Sequence, residues 1–132
     1  MTLESRTLSV SINRHPDEVY PFVSNPDNLP QWAPAFCKSV RKAGAEWIVE
    51  TADGPVKIRF VETNAFRVAD HYVIPTPDSE IYVPMRVLPN GSSGSELLLT
   101  LFRQPNMSEQ EFRRDIEMVT RDLNVLKKVL EK

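Results

Sequence analysis

The amino-terminal segment alternates apolar and polar side chains. Its apolar positions recur with a period of two at Leu8, Val10 and Ile12. Such a period with a single apolar face predicts a strand that packs against a core. Helix signals follow at once, because Pro16 suits the first helical position and the next apolar residues are three or four positions apart. Further prolines interrupt this helix, so a second short helix or turn is predicted around residues 30–34.

The middle of the chain, residues 36–104, shows the pattern of strands joined by short turns. Asp53-Gly54 is a strong tight-turn signal between two alternating stretches. One strand is predicted over residues 66–74, a stretch rich in β-forming side chains, and another over residues 80–87. Regularly spaced strands with short turns predict one strongly curved antiparallel sheet of about seven strands.

The carboxyl-terminal segment carries the clearest helix signal. Ser108 precedes Glu111 by three residues, which predicts a capping box at the start of a helix over residues 108–131. The apolar positions of this helix form one stripe: Phe112, Ile116, Val119, Leu123, Leu126 and Leu130. A stripe of this width packs on a sheet or forms a coiled coil. Because the predicted sheet has no other cover, packing across the sheet is favoured, and the coiled coil stays the alternative.

Composition and charge exclude several classes of function. The 132 residues suit one domain over 1–132, and 16 Lys and Arg against 18 Asp and Glu give a net charge of −2, unlike a strongly basic nucleic-acid binder. The single cysteine excludes an internal disulfide framework, and no apolar run approaches the ~20 residues of a membrane helix. Phosphate-loop, dinucleotide-binding, serine-hydrolase and zinc-protease motifs are absent. We therefore expect a cytoplasmic protein with no cofactor, no metal, no nucleic-acid partner and no integral membrane segment, and homodimer formation stays open.

The opening of the chain carries a family resemblance. Residues 10–32 read VSINRHPDEVYPFVSNPDNLPQW, and this run resembles the start of the START/Bet v 1-like superfamily, also called SRPBCC. Within that superfamily the chain is most similar to polyketide cyclase/dehydrase-like proteins, with further matching stretches at 70–71, 84–87, 100–105 and 122–127. The resemblance implies an α+β helix-grip fold, in which a curved sheet grips the long carboxyl-terminal helix. It also implies the superfamily's range of roles, which includes lipid carriers, hormone receptors, aromatase/cyclases and chaperone activators.

A curved sheet that grips a long helix leaves a volume between them, which is a natural ligand cavity. The candidate lining side chains are Trp32, Trp47, Phe60, His71, Arg86, Leu99 and Val119. His71 is the sharpest candidate, because an imidazole that faces an apolar cavity could hydrogen-bond a ligand carbonyl or act as a general acid or base. The alternative is a structural histidine satisfied by a neighbouring strand or by Glu62. By alternation Asp70 is expected to face outward, so it cannot be assumed to orient His71.

Several other candidates carry two interpretations each. Trp32, between two prolines, plugs one end of the core or gates the cavity, and Trp47 lines the cavity or only packs. Arg86 could hold a ligand carboxylate if it points inward, but its apolar neighbours favour an outward side chain that pairs with an acid such as Glu96. Arg103 in the last predicted strand carries the same ambiguity.

Three functions compete. The first is binding of a small hydrophobic or aromatic ligand, lipid- or polyketide-like, in the internal cavity. The second is an enzyme of the cyclase/dehydrase type with His71 as its catalytic residue, and the third is an interaction module of the chaperone-activator type. Cys37 has no activating neighbour in the sequence and is expected to be a buried small residue rather than a nucleophile. Because there is one inward histidine and no nucleophile–base pair, binding is favoured over catalysis.

Overall fold

The computed structural model describes all residues, 1–132, and contains eight strands and three α-helices. The strands are β1 (Ser5–Ile12), β2 (Ser39–Ala43), β3 (Glu46–Thr51), β4 (Gly54–Phe60), β5 (His71–Thr76), β6 (Ser79–Val83), β7 (Met85–Asn90) and β8 (Gly94–Phe102). The helices are α1 (Pro16–Val23), α2 (Leu29–Trp32) and α3 (Glu109–Leu130), with a 3-10 turn (Pro26–Asn28) before α2. The order of one strand, short helices, strands and a long helix confirms the α+β order predicted from the sequence.

The strands form two antiparallel sheets instead of one. β1, β8 and β7 are neighbours in a three-stranded sheet, and β2 to β6 follow one another in a five-stranded sheet. The strand predicted over residues 80–87 is divided at Pro84, because proline has no N–H to donate to a ladder. The next N–H, that of Met85, donates to the Asp70 carboxylate at 2.9 Å. The single predicted strand is therefore β6 and β7.

The loop between β4 and β5 is longer than predicted. β5 begins at His71, so the strand predicted from Phe66 onward is wrong over its first part. The side-chain oxygen of Asn64 accepts hydrogen bonds from the backbone N–H groups of Phe66 and Val68, at 3.0 and 3.1 Å, and so builds a local turn. Arg67 has a φ of 58°, in the left-handed region that strand residues do not adopt. Local side-chain hydrogen bonds thus override the β-forming composition of this stretch.

The five-stranded sheet turns one apolar side toward the interior, and we call this side the inner face. Trp47 lies opposite Ile58 in the strand register, and Ile58 lies opposite Val73 on the next strand. Phe60 lies opposite His71 in the same way. Residues that pair across strands point to the same side of a sheet. The inner face comprises Val40, Lys42, Trp47, Val49, Val56, Ile58, Phe60, His71, Val73, Ile81 and Val83.

Helix α3 begins with the predicted capping box. The Ser108 hydroxyl accepts from the Glu111 backbone N–H at 3.1 Å, and the Glu111 carboxylate accepts from the Ser108 N–H at 3.0 Å. The apolar stripe packs within this chain, but the helix rests mainly on β1 and α2 and not across the whole sheet. Leu123 and Leu126 belong to the main core, whereas Ile116 is only partly buried and lies outside it. The second half of α3 therefore joins the main core cluster, whereas Phe112 in the first turn is buried outside that cluster.

The most enclosed part of the core lies beside the three-stranded sheet. Ile12, Met85 and Leu97 are at most 1% exposed and belong to the same cluster as Leu126 of α3, which is fully buried. Burying each such side chain stabilises the fold by about 1.5–3 kcal/mol. α1 packs against β7 and β8 at this side of the molecule. The three-stranded sheet, α1 and the second half of α3 therefore form a closed unit.

Candidate ligand-binding site

The inner face is only partly covered. Trp47, Phe60 and Val73 are partly exposed, whereas Val49 and Ile58 are buried. The partly exposed residues still pack against the core, so they continue its apolar surface. Because α3 rests mainly on β1 and α2, it leaves part of this surface accessible. An apolar molecule can therefore be buried against the inner face.

His71 is the buried polar side chain of the inner face, whereas Lys42, the other polar side chain there, is exposed. The His71 ring stacks on Phe60 with a centroid distance of 4.6 Å and an interplanar angle of 21°. Its Nδ1 lies 3.1 Å from the carbonyl oxygen of Ala69, so its partner is neither a neighbouring strand nor Glu62. Burial lowers the pKa of His71 to about 4, and the Ala69 hydrogen bond and the Asp70 charge offset only part of this effect. The imidazole is therefore uncharged at neutral pH.

Asp70 is buried, although alternation predicts an outward side chain. It does point to the outer side of the sheet, but other side chains cover it there. Its carboxylate accepts hydrogen bonds from the Tyr82 hydroxyl at 2.7 Å, from the Met85 N–H at 2.9 Å and from Arg86 at 3.1 and 3.3 Å. Burial alone would raise the pKa of Asp70, but these donors outweigh burial and the pKa is lowered. The Asp70 carboxylate is therefore a structural group that joins β5, β6 and β7.

The two ambiguous arginines do not lie on the inner face. Arg86 is outward, as favoured from the sequence, but its partner is Asp70 at 3.1 Å and not Glu96. Alternation does not reveal this pair, because the loop after β4 brings Asp70 next to β7. Arg103 donates to the backbone oxygen of Met107 at 3.0 Å and to the Glu4 carboxylate at 3.3 Å. Both guanidinium groups are thus engaged within the protein.

The remaining candidates differ in how far they are enclosed. Trp32 and Leu99 are core side chains, 4% and 5% exposed, and Val119 is partly buried against the core. Leu99 pairs with Leu8 and Met85, so it belongs to the three-stranded sheet and not to the inner face. Trp32 Nε1 is the one fully buried side-chain nitrogen or oxygen without a hydrogen-bond partner. The burial of Trp32 fits its interpretation as a packing residue, and its Nε1–H makes no hydrogen bond within the protein.

Three of the seven candidate residues share the inner face, namely Trp47, Phe60 and His71. None of the seven lines either of two surface hollows, which have volumes of about 240 and 320 Å³. The first hollow lies beside Lys127 at the end of α3, and the second lies on the outer side of the sheets beside Tyr82. The enclosed cavity expected from the sequence therefore stays a prediction.

Asp122 of α3 is a structural carboxyl that sequence reasoning misses. It is 3% exposed and accepts the backbone N–H groups of Ala35 and Phe36 at 2.9 and 3.2 Å, which anchors the segment after α2 to α3. Burial raises the pKa of Asp122, and the two hydrogen bonds oppose this. Burial, followed by the Asp122 charge, raises the pKa of Cys37 to about 11, so the thiol stays protonated. The signal in the sequence is an acidic residue directly beside the apolar stripe.

Asp115 is another acidic residue directly beside the apolar stripe. It is half-buried and makes no hydrogen bond or ion pair within the protein. Burial raises its pKa, the Arg114 charge opposes the rise, and the charges of Glu111 and Asp53 add to it. A carboxyl group with a raised pKa holds its proton to a higher pH than an exposed one, which suits proton transfer.

The fold of the chain is similar to that of known structures, although no family model and no curated protein matches the sequence. A START superfamily protein from Mycobacterium smegmatis is 12% identical with a TM-score of 0.75, over 96% of this chain and 97% of that one. The Zhui aromatase/cyclase from Streptomyces sp. R1128 is 16% identical with a TM-score of 0.70, over 98% and 94%. The di-domain ARO/CYC BexL is 18% identical with a TM-score of 0.71, over 96% of this chain and 46% of that chain. The chain has the START-type helix-grip fold.

This fold confirms the architecture implied by the opening run of the sequence. Identities of 12–18% establish the fold and leave the function to be argued from the site. No helix in the structure combines the length and the apolar character needed to cross a membrane. No three His, Cys, Asp or Glu side chains are grouped so that they could hold a metal ion.

Proposed function

We propose that the chain binds a small hydrophobic or aromatic molecule, lipid- or polyketide-like, between the inner face and α3. The observation that carries this proposal is the partly exposed apolar surface around Trp47, Phe60 and Val73. This surface is on the side of the five-stranded sheet that faces the interior. Covering apolar surface contributes about 25 cal/mol per Å², so a ligand that covers about 100 Å² of it gains about 2.5 kcal/mol. The START-type fold supports the proposal, because a curved sheet that packs beside a long helix is an arrangement that can hold a ligand between them.

Binding is proposed ahead of catalysis because the interior holds weak catalytic groups. His71, with a pKa of about 4, is a weak base at neutral pH. The protonated Cys37 thiol is a poor nucleophile, since the thiolate is the reactive form. A cytoplasmic location remains a prediction that accompanies this proposal, and the oligomeric state stays open.

A cyclase/dehydrase-type enzyme is the second candidate, and one observation favours it. Asp115 is an unpaired, half-buried carboxyl at the border of the apolar stripe, and burial raises its pKa. Such a group suits a general acid in proton transfer to a bound carbonyl. Turnover of an aromatic substrate that disappears in Asp115→Asn, with binding retained, would establish this second function.

A thermal-shift screen of aromatic polyketides, flavonoids and fatty acids tests the binding proposal. A ligand that binds only the folded chain stabilises it by about 2.7 kcal/mol at a hundredfold excess over its dissociation constant. We expect at least one class of apolar compound to raise the melting temperature in a concentration-dependent way.

Two tryptophan substitutions on β5 provide a matched control for the site. Val73→Trp fills the inner face, whereas Tyr72→Trp places the same side chain on the outer side of the same strand. We expect the first variant to lose the ligand-induced shift and the second to keep it. No shift with any compound, or equal shifts in both variants, would contradict binding at the inner face.

A further inference from the structure

The two ring nitrogens of His71 have different roles. Nδ1 lies 3.1 Å from the carbonyl oxygen of Ala69, and because a carbonyl oxygen only accepts, Nδ1 carries the proton. In an uncharged imidazole the other nitrogen, Nε2, then has only a lone pair and acts as an acceptor. No group of the protein donates to Nε2. The inner face therefore contains one acceptor whose partner must come from outside the chain.

The lone pair of Nε2 reaches accessible space. Trp32 Nε1 is the one fully buried side-chain nitrogen or oxygen that lacks a partner. Nε2 also has no hydrogen-bond partner, but it is not among the fully buried atoms. It therefore retains some contact with the accessible surface, although the His71 residue as a whole is buried. The ring stacks on Phe60 at 4.6 Å and lies opposite Val83 of β6. A molecule beside Phe60 and Val83 thus meets one hydrogen-bond acceptor, Nε2, among apolar side chains.

We infer that His71 Nε2 accepts a hydrogen bond from a hydroxyl or N–H group of the bound molecule, so that the ligand is an uncharged apolar compound with one donor, such as a phenol or an alcohol. This inference rests on the proposed function and adds the chemical class of the ligand. A ligand that covers Nε2 without donating to it leaves a buried unpaired acceptor, which costs free energy, and a ligand with a donor avoids that cost.

Carbonyl and carboxylate ligands fit this site less well. To donate to either group, Nε2 would need a proton, and the ring would then carry a positive charge in a buried position. The low pKa of His71, about 4, opposes that protonation. An anion would have to use Lys42 instead, an exposed residue whose Nζ lies 6.0 Å from the centre of the Trp47 ring. Binding of an anion there would not depend on His71.

Three probes of similar size test the inference at neutral pH by calorimetry: 2-naphthol carries a donor, 2-methoxynaphthalene carries only an acceptor, and 2-naphthoate is an anion. We expect 2-naphthol to bind about 3–10-fold more tightly than 2-methoxynaphthalene, the value of one hydrogen bond. In His71→Phe, which keeps an aromatic ring beside Phe60, the affinity for 2-methoxynaphthalene should persist and the preference for 2-naphthol should vanish. His15→Gln, at the exposed amino-terminal cap of α1, is the matched control and should keep the preference.

Nitrogen NMR of the imidazoles provides a readout that requires no inner-face variant. The chain has two histidines, so His15→Gln leaves the signals of His71 alone. We expect 2-naphthol to shift the Nε2 resonance of His71 and 2-methoxynaphthalene to leave it nearly unchanged.

The outcomes separate this inference from the proposed function. Equal affinities for 2-naphthol and 2-methoxynaphthalene, both abolished by Val73→Trp, would overturn the role of His71 and leave binding at the inner face intact. Tightest binding by 2-naphthoate, unchanged in His71→Phe, would also overturn it. Failure of all three probes to bind the folded protein would overturn the proposed function and this inference together.

Discussion

At the scale of single residues, the burial of His71 links the candidate site to stability. Its pKa falls from an unfolded value of 6.5 to about 4 in the folded chain. Between these values the unfolded chain binds a proton that the folded chain does not, so the free energy of unfolding decreases as the pH falls from 6.5 toward 4. The total decrease from this group is about 3 kcal/mol, and the contribution is constant above the upper value.

Urea unfolding at a series of pH values measures this effect. We expect His71→Gln to remove this part of the acid destabilisation, because glutamine does not titrate, while His15→Gln should retain it. The comparison of slopes isolates His71 from the carboxyl groups, which titrate in all three proteins. Identical slopes in wild type and His71→Gln would mean that the imidazole is not buried in its uncharged form.

The sequence predicts which way some side chains point better than what they contact. Alternation places Trp47, Phe60 and His71 on one side of the sheet, and the strand register confirms this. It does not predict that Asp70 is buried under Arg86, because that contact depends on the irregular loop after β4. Side-chain direction follows from a local period of two, whereas a hydrogen-bond partner follows from the path of distant segments.

At the scale of elements, the apolar stripe of α3 is buried unevenly. Leu126 is fully buried in the core cluster, whereas Ile116 is partly exposed outside it. We expect Leu126→Ala to lower the free energy of unfolding by about 2–5 kcal/mol, the usual cost of such a buried truncation. Ile116→Ala should cost clearly less, about 1 kcal/mol, since alanine also favours the helix.

Chemical denaturation of both variants under the same conditions checks this difference. Equal losses at the two positions would show that the stripe is buried evenly and that α3 covers the inner face. The sequence pattern does not distinguish Ile116 from Leu126, because both positions have the spacing of one helical face.

Elements with local signals are predicted well, and elements that depend on tertiary contacts are not. The start of α3 follows from Ser108 and Glu111, whose hydrogen bonds span three residues. The division between β6 and β7 is missed, because alternation continues past Pro84 on both sides. That division depends on the Met85 N–H, which donates to Asp70 from a different part of the chain.

At the scale of the whole molecule, the anchoring of α3 explains why the inner face is accessible. Hydrogen bonds from the Ala35 and Phe36 N–H groups to Asp122 anchor α3 to the segment after α2. The helix therefore packs mainly beside α2 and β1. Local patterns predict the order of strands and helices, and the family resemblance adds the helix-grip arrangement. How much of the inner face α3 covers depends on the hydrogen bonds of Asp122. The apolar periodicity of the sequence does not predict those hydrogen bonds.

Native-state hydrogen exchange should resolve the closed and open parts of the molecule. Amides of β7, β8 and the second half of α3 lie around fully buried side chains such as Met85, Leu97 and Leu126, so they should exchange only through global unfolding. Amides of β3 to β5 lie behind a partly exposed face that holds Trp47 and Phe60, and they should exchange through smaller openings at lower free energy. Saturation with 2-naphthol should slow exchange in β3 to β5 more than in β7 and β8, because a ligand protects the segment whose opening would release it. Uniform exchange rates in the free protein would mean that the inner face is no more open than the rest of the core. Uniform protection by 2-naphthol would mean that the inner face is not the place where this ligand binds.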